Sequence, residues 1–135
     1  MLVLLLRAGD RRYALDARQV VEVVPWVPLR PAPGAPEWIA GLLAHRDGVA
    51  PVIDLSRLLT GIAAAPLLST RLIVLRRDPG DDGGLIALLA EGATEMTRLD
   101  VDAVGADGRS DIQLVAWTDL LPAALHASLP ERSYA

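Results

Sequence analysis

The fold of this chain is decided by one stretch, residues 20–59, which reads VVEVVPWVPLRPAPGAPEWIAGLLAHRDGVAPVIDLSRLL. Its opening valine run favours a strand, because β-branched residues suit a pleated, half-buried surface. Glu22 interrupts the run, and a carboxylate is rarely buried without a partner, so it is expected to reach solvent or a binding partner. Period-two geometry predicts that Val21 and Val23 share the face opposite to Glu22.

A proline-rich segment follows the valine run. Its prolines are Pro25, Pro28, Pro31, Pro33 and Pro36. Each proline fixes φ and removes a hydrogen-bond donor, so the segment is predicted to cross the surface as a stiff, extended connector. A first helical turn is predicted at 36–40, where a proline at the first position costs no hydrogen bond.

A hairpin is predicted next, with strands at 42–45 and 49–53 on either side of Arg46-Asp47-Gly48, because Asp-Gly is a strong two-residue turn signal. Such a hairpin should present Arg46 outward. A guanidinium is a planar fork that suits carboxylates or carbonyls at an interface, although a solvated loop arginine is the ordinary alternative. Asp54 then caps a predicted helix at 55–59.

Short strands are predicted on both sides of this stretch. They lie at 2–6, 12–15, 70–76, 85–90 and 112–117. The first does not alternate between apolar and polar residues, so it is expected to be a central strand. Asp16 and Thr118 are each placed to cap a single helical turn. Many short strands with regular turn signals favour small β-barrels.

Composition limits the function classes. At 135 residues the chain is expected to form one domain. A net charge of −4 and a pI near 5.0 argue against nucleic-acid binding or an anionic membrane surface. The apolar N-terminus lacks the basic segment and cleavage site of a signal peptide, and no apolar run approaches the ~18 residues of a membrane span. A cytoplasmic location is therefore expected.

Catalytic and metal-binding patterns are weak. There is no nucleophile elbow and no phosphate-binding glycine loop. The two histidines, His45 and His126, belong to different elements, and cysteine is absent, so a zinc site is not predicted. An EF-hand-like spacing at 100–111 has Val104 at its fifth place, which cannot supply a side-chain oxygen. We expect no enzyme activity, no metal and no cofactor.

The central stretch resembles a known signature. Residues 36–59 are similar to the CheW-like family pattern P-x-[FW]-[IV]-x-G-x-x-N-L-R-G-x-x-x-P-[VI]-[IV]-D-L. The matching positions are Pro36, Trp38, Ile39, Gly41, Arg46, Pro51, Val52, Ile53, Asp54 and Leu55. Upstream, residues 13–15 and 20–23 match the family's YAL and VxEV runs, and 70–74 matches its TRxIV strand. Within the family the chain most resembles coupling proteins of the Wsp-type surface-sensing array.

The resemblance implies a mainly β fold with short helices, in which two SH3-like small β-barrel lobes share a core. It makes residues 1–135 a single domain. One lobe would span 16–68 and the other 1–15 with 69–127, closed by the strand at 112–117. The function implied is that of a non-enzymatic adaptor in a bacterial chemosensory array. It would couple chemoreceptor cytoplasmic tips to the regulatory domain of a CheA-type histidine kinase.

The resemblance also implies a partner-binding site. Arg46 matches the family arginine associated with receptor and kinase coupling, and Val20 and Glu22 match positions implicated in receptor binding. His45 and Asp47 flank the arginine and complete the predicted site. The four residues around Arg46 read Ala-His-Arg-Asp where the family has Asn-Leu-Arg-Gly, so the arginine has different neighbours here.

A second departure is that the segment between Met96 and Ile112 is about one strand too short for the family pattern. This leaves open whether the second lobe is complete. An incomplete lobe would expose a sheet edge, which predicts homodimerisation or strand exchange through that edge. The alternative function is therefore a truncated CheW-like oligomerisation module that has lost kinase coupling.

Overall fold

A computed structural model of the chain describes residues 1–46, 48–77, 84–99 and 112–120. Its strands are β1 (Leu2–Ala8), β2 (Arg11–Asp16), β3 (Val20–Pro25), β4 (Ile39–His45), β5 (Gly48–Asp54), β6 (Arg71–Arg76), β7 (Leu85–Arg98) and β8 (Ile112–Val115). A 3₁₀ turn (Ala17–Gln19) and two short helices, α1 (Leu55–Thr60) and α2 (Trp117–Leu120), complete the described elements. The expectation of a mainly β fold is confirmed.

The long strand β7 connects two groups of strands. Its first half pairs antiparallel with β6 and parallel with β5, and its second half pairs antiparallel with β1. On one side, β3 pairs with β6 and the β4–β5 hairpin joins through β5. On the other, β1 pairs with β2, and β8 lies parallel to β2. The first predicted strand is thus central, as expected, since β1 has a partner on each edge.

A bend in the middle of β7 lets one strand serve both groups. Gly92 has φ +65°, in the left-handed region that favours glycine. Opposite it, the β1–β7 register shifts between Leu5 and Arg7. Such irregularities bend a strand and increase its local twist. The second half of β7 therefore leaves β6 and continues beside β1.

Strand β6 separates two apolar cores. Ile73 and Leu75 pack into a core that also includes residues of β1, β2 and α2, whereas Leu72 and Val74 pack into a second core with residues of β4 and β5. All four side chains are fully buried. Alternate residues of a strand point to opposite faces, so a continuous apolar run is what a strand buried on both faces requires.

Two predicted caps are confirmed. The Asp16 carboxylate accepts a hydrogen bond from the backbone N–H of Arg18 at 3.0 Å, at the start of the 3₁₀ turn. The Asp54 carboxylate accepts one from the N–H of Arg57 at 3.1 Å, at the start of α1. Helix α1 ends at Thr60 and is capped by Gly61, whose φ of +81° gives the left-handed conformation typical of helix C-termini.

The predicted cap at Thr118 is wrong. Helix α2 begins one residue earlier, at Trp117. The carboxylate of Asp119 reaches back and accepts a hydrogen bond from the N–H of Ala116 at 3.1 Å. An acidic side chain on the third helical residue can satisfy the N–H of the residue before the helix, as in half of a capping box. The cap is therefore made by Asp119.

The predicted helical turn at 36–40 is also wrong. The N–H of Ile39 donates to the carbonyl of Pro36 at 3.0 Å, which closes a single turn, and β4 begins at Ile39. Ile39 pairs with Ile53 across the hairpin, and this pairing makes Ile39 the first residue of the strand. Long-range strand pairing thus overrides the local helix signal.

The predicted faces of β3 need a correction. Val20 and Val23 pack against the core shared with β1, while Val21 and Val24 pack against the second core. Val21 and Val23 therefore do not share a face. The cause is an irregularity in the β3–β6 register between Val20 and Glu22, because a bulge adds one residue to a strand and reverses the alternation after it.

Some predictions fall outside the described residues. They concern Asp47, the EF-hand-like spacing at 100–111, most of the short segment between Met96 and Ile112, and the end of the second lobe beyond residue 120. Within the described ranges, no helix is long and apolar enough to cross a membrane.

Candidate functional site

The side chains of Glu22, His45 and Arg46 form one hydrogen-bonded group. Oε2 of Glu22 lies 2.6 Å from Nε2 of His45 and accepts a hydrogen bond from Nη1 of Arg46 at 3.2 Å. Glu22 belongs to β3, His45 ends β4, and Arg46 follows it in the turn. Strands β3 and β4 do not pair with each other in the described chain. The contacts therefore join two strands through side chains alone.

The group is layered from the interior to the surface. The His45 side chain is 6% exposed, that of Glu22 is 33% exposed and that of Arg46 is 69% exposed. The imidazole thus lies beneath the carboxylate, and the guanidinium lies above it. Only the outer two groups are accessible to a binding partner to any large extent.

The surroundings of Glu22 keep it ionised. The hydrogen bond with His45 is the largest cause that lowers the pKa of Glu22 below its ordinary value, and the positive charge of Arg46 acts in the same direction. Partial desolvation opposes this shift without reversing it. At neutral pH the carboxylate therefore carries its charge and balances the guanidinium of Arg46.

The β4–β5 hairpin determines where Arg46 lies. His45 pairs with Gly48, so only two residues of the sequence separate the paired strand ends, and Arg46 is the first of them. The Asp-Gly signal predicted a turn centred one residue later, but Gly48 belongs to β5 instead. A two-residue loop gives the arginine little freedom relative to the strands, because hairpin loop length fixes the register. Arg46 is presented outward, as the sequence predicted.

The proline-rich connector fixes β4 from its other side. Arg30 and Leu42 exchange two backbone hydrogen bonds, of 2.9 and 2.8 Å, so the connector pairs with the β4 edge that does not face β5. Gly41 makes this approach possible. Its φ is +153°, and a Cβ there would lie 2.6 Å from the carbonyl oxygen of Arg30. A glycine is needed here to keep the connector against the strand.

The structure brings together three of the five residues predicted for the site. Val20 is half-buried and packs against the core shared with β1, and Asp47 is outside the described residues. The contact between His45 and Glu22 was missed by sequence reasoning. The two residues are 23 positions apart. Period-two patterns predict strand faces but not which strands without a shared ladder approach each other, so the sequence carries no clear signal for this contact.

A separate apolar groove of about 600 Å³ lies between the start of the connector and the loop before β6. Trp26 and Leu67 line it, and Leu68, which is 94% exposed, stands at its rim. The guanidinium of Arg71 also lines the groove and donates to the carbonyls of Leu68 and Thr70. Within the described ranges, no group of three or more His, Cys, Asp or Glu residues could hold a metal ion.

Comparison with known proteins finds one matching domain family and related proteins from two bacteria. A model of the CheW-like domain matches residues 2–119. The chain is 32% identical over 129 residues to the chemotaxis protein CheW of Rhizobium meliloti (strain 1021), covering 96% of this chain and 70% of the relative. It is 40% identical over 68 residues to protein FrzA of Myxococcus xanthus, covering 50% of this chain and 42% of that protein.

A solved structure supports the fold. The scaffolding protein TtCheW from Thermoanaerobacter tengcongensis superposes with a TM-score of 0.64 and 24% identity. The match covers 76% of this chain and 64% of that one, so this chain spans less than two thirds of the neighbour's length. By the extent of the domain match and the identity to the Rhizobium protein, the chain belongs to the CheW-like domain family.

Proposed function

We propose that this chain is a non-enzymatic adaptor of a bacterial chemosensory array. It would work in the cytoplasm and couple chemoreceptor tips to the regulatory domain of a CheA-type histidine kinase. Membership of the CheW-like family supports the class of function. The observation that carries the proposal is the outward position of Arg46, 69% exposed and hydrogen-bonded to Glu22 on a neighbouring strand.

Arg46 is partly ordered before a partner binds, through its hydrogen bond to Glu22. Interface energy is concentrated in a few residues, among which arginine is enriched. A free arginine side chain loses much rotamer entropy when a partner immobilises it. Here the turn and the Glu22 carboxylate already restrict Arg46, so part of that cost is met in the free chain.

The remaining predicted residues take smaller roles in the proposal. Asp47 follows Arg46 in the sequence and would contribute to the same surface. Val20 would act by shaping β3, since its side chain packs inward. The Wsp-type assignment within the family is part of the proposal too, and it is tested by whether the neighbouring genes encode a surface-sensing system.

A reconstitution tests the adaptor function. The purified chain would be mixed with the regulatory domain of the CheA-type kinase and a receptor-tip fragment from the same organism, and complexes separated by size-exclusion chromatography with light scattering. An adaptor produces a ternary complex of all three proteins, and the receptor fragment and the kinase domain elute separately when the chain is left out. If the chain binds neither protein even at concentrations well above the dissociation constants typical of weak complexes, the proposal is wrong.

The same experiment addresses the alternative of an oligomerisation module. In the described chain β8 is the last strand of its sheet and pairs only with β2, and an open edge invites pairing with a second copy. A homodimer through this edge would give twice the monomer mass in the chain alone. A dimer that binds neither receptor nor kinase would favour the module that has lost coupling.

A further inference from the structure

The imidazole of His45 is buried but contacts a carboxylate of the candidate site. A partner cannot reach a side chain that is 6% exposed without moving its neighbours. Nevertheless Nε2 is aimed at Glu22 and lies 2.6 Å from Oε2, which is a short distance for this type of hydrogen bond. The carboxylate therefore offers a direct route by which the imidazole can affect binding.

The carboxylate in turn determines the position of Arg46. The same atom, Oε2 of Glu22, accepts from both His45 and Arg46. A glutamate with a free side chain would sample several rotamers and carry the guanidinium with it. Fixing Oε2 from beneath removes this freedom. The arrangement is a chain of contacts that runs from a buried imidazole to an exposed cation.

Resting on the proposed function, we infer that His45 is a positioning residue of the binding surface: it holds Glu22, and through Glu22 it sets the orientation of Arg46 for a partner. It does so without touching the partner itself. Immobilising side chains at an interface costs free energy unless they are already ordered. Because His45 and Glu22 would order Arg46 in the free chain, less conformational entropy would be lost on binding.

Two substitutions at the same position test this. In His45→Leu the volume is similar but the hydrogen bond to Glu22 is lost. In His45→Gln the side-chain amide can still donate to the carboxylate. We expect His45→Leu to weaken binding of the receptor tip or the kinase regulatory domain by about tenfold, as for the loss of order in two side chains. His45→Gln should restore most of it. Both variants should remain folded with a cooperative thermal transition, so that a loss of binding is not a loss of the fold.

A double-substitution cycle separates positioning from general damage. If His45 acts through the carboxylate, then Glu22→Ala alone reduces binding, and adding His45→Leu to it has little further effect. Additive losses in the double variant, or equal losses in His45→Leu and His45→Gln, would overturn the inference.

A measurement on the free chain distinguishes this inference from the proposed function. Nitrogen-15 relaxation of the Arg46 side-chain Nε should report restricted motion in the wild type and in His45→Gln, and faster motion in His45→Leu. If this pattern holds but no partner binds the wild type, the positioning stands and the adaptor function fails. If wild type binds and His45→Leu binds equally well with Arg46 equally ordered, the positioning role is wrong and the adaptor function stands.

Discussion

The carboxylate of Glu22 and the imidazole of His45 lie 2.6 Å apart and connect β3 to β4, two strands that share no backbone ladder in the described residues. On its other edge β4 pairs with the proline-rich connector through Arg30 and Leu42. The connector thus occupies the backbone edge of β4 that does not face β5. The side-chain contact between Glu22 and His45 holds the end of β4 against β3. The position of the hairpin turn therefore depends on both.

Acidification should weaken the contact between Glu22 and His45. The pKa of Glu22 is lowered in the folded chain from its ordinary value of 4.5, mainly by the hydrogen bond with His45. A depressed pKa contributes stability that is present above the ordinary value and is lost as pH falls through the folded value. The thermal midpoint of the wild type should therefore fall more steeply below pH 4.5 than that of Glu22→Gln. Parallel curves would contradict the assignment.

Gly41→Ala should be strongly destabilising. A Cβ at this position would lie 2.6 Å from the Arg30 carbonyl oxygen and 2.9 Å from Cβ of Leu29, and the backbone has φ +153°. Strain and displacement of the connector together should cost roughly 2–4 kcal/mol in the free energy of unfolding. Chemical denaturation measures this cost.

The matched control is Gly34→Ala, where φ is +78° but nothing lies within 4 Å of a new Cβ. Backbone strain alone should cost about 1–2 kcal/mol there. Equal losses in the two variants would show that the close approach of the connector to β4 does not matter.

Asp54→Ala should lose more stability than an ordinary cap. The buried carboxylate accepts from the N–H of Arg57 at 3.1 Å and also from the N–H of Ala64, at 3.2 and 3.1 Å from its two oxygens. Its removal deletes the cap of α1 and leaves a buried donor without a partner, at a cost of roughly 2–4 kcal/mol.

Asp16→Ala, which removes a cap on the surface, should cost about 1 kcal/mol. A similar loss of denaturation midpoint in both variants would argue against the double role of Asp54.

Ile73→Ala tests the role of β6 between the two cores. The side chain is fully buried against residues of β1 and β2, so its truncation should cost about 2–5 kcal/mol. Ile62 is 72% exposed, and Ile62→Ala should change the free energy of unfolding by less than about 0.5 kcal/mol. If thermal or urea denaturation finds the first variant as stable as the second, the packing around β6 is wrongly described.

The sequence predicted the elements where local chemistry decides them. The β4–β5 hairpin, the cap at Asp54 and the central position of the first strand all follow from turn residues, capping residues and continuous apolar runs. Arg46 was also predicted to face outward, because a residue beside a tight turn has few other positions.

The failures have physical reasons as well. The faces of β3 were wrong because a bulge between Val20 and Glu22 reverses the alternation, and a bulge depends on the partner strand β6. The contact between Glu22 and His45 was not predicted, because it joins two strands that do not pair with each other and that only the tertiary fold brings together. Local pattern cannot supply either piece of information.

The central claim is that the surface around Arg46 binds the proteins of the array. The most direct test is a titration of Arg46→Ala with the receptor-tip fragment and the kinase regulatory domain. Arg57→Ala serves as the control, since Arg57 is likewise paired to a carboxylate, that of Glu37 at 2.8 Å, but lies on α1. We expect Arg46→Ala to weaken ternary-complex formation by about tenfold or more at an unchanged thermal midpoint, while Arg57→Ala binds like the wild type. Full binding by Arg46→Ala would contradict the account.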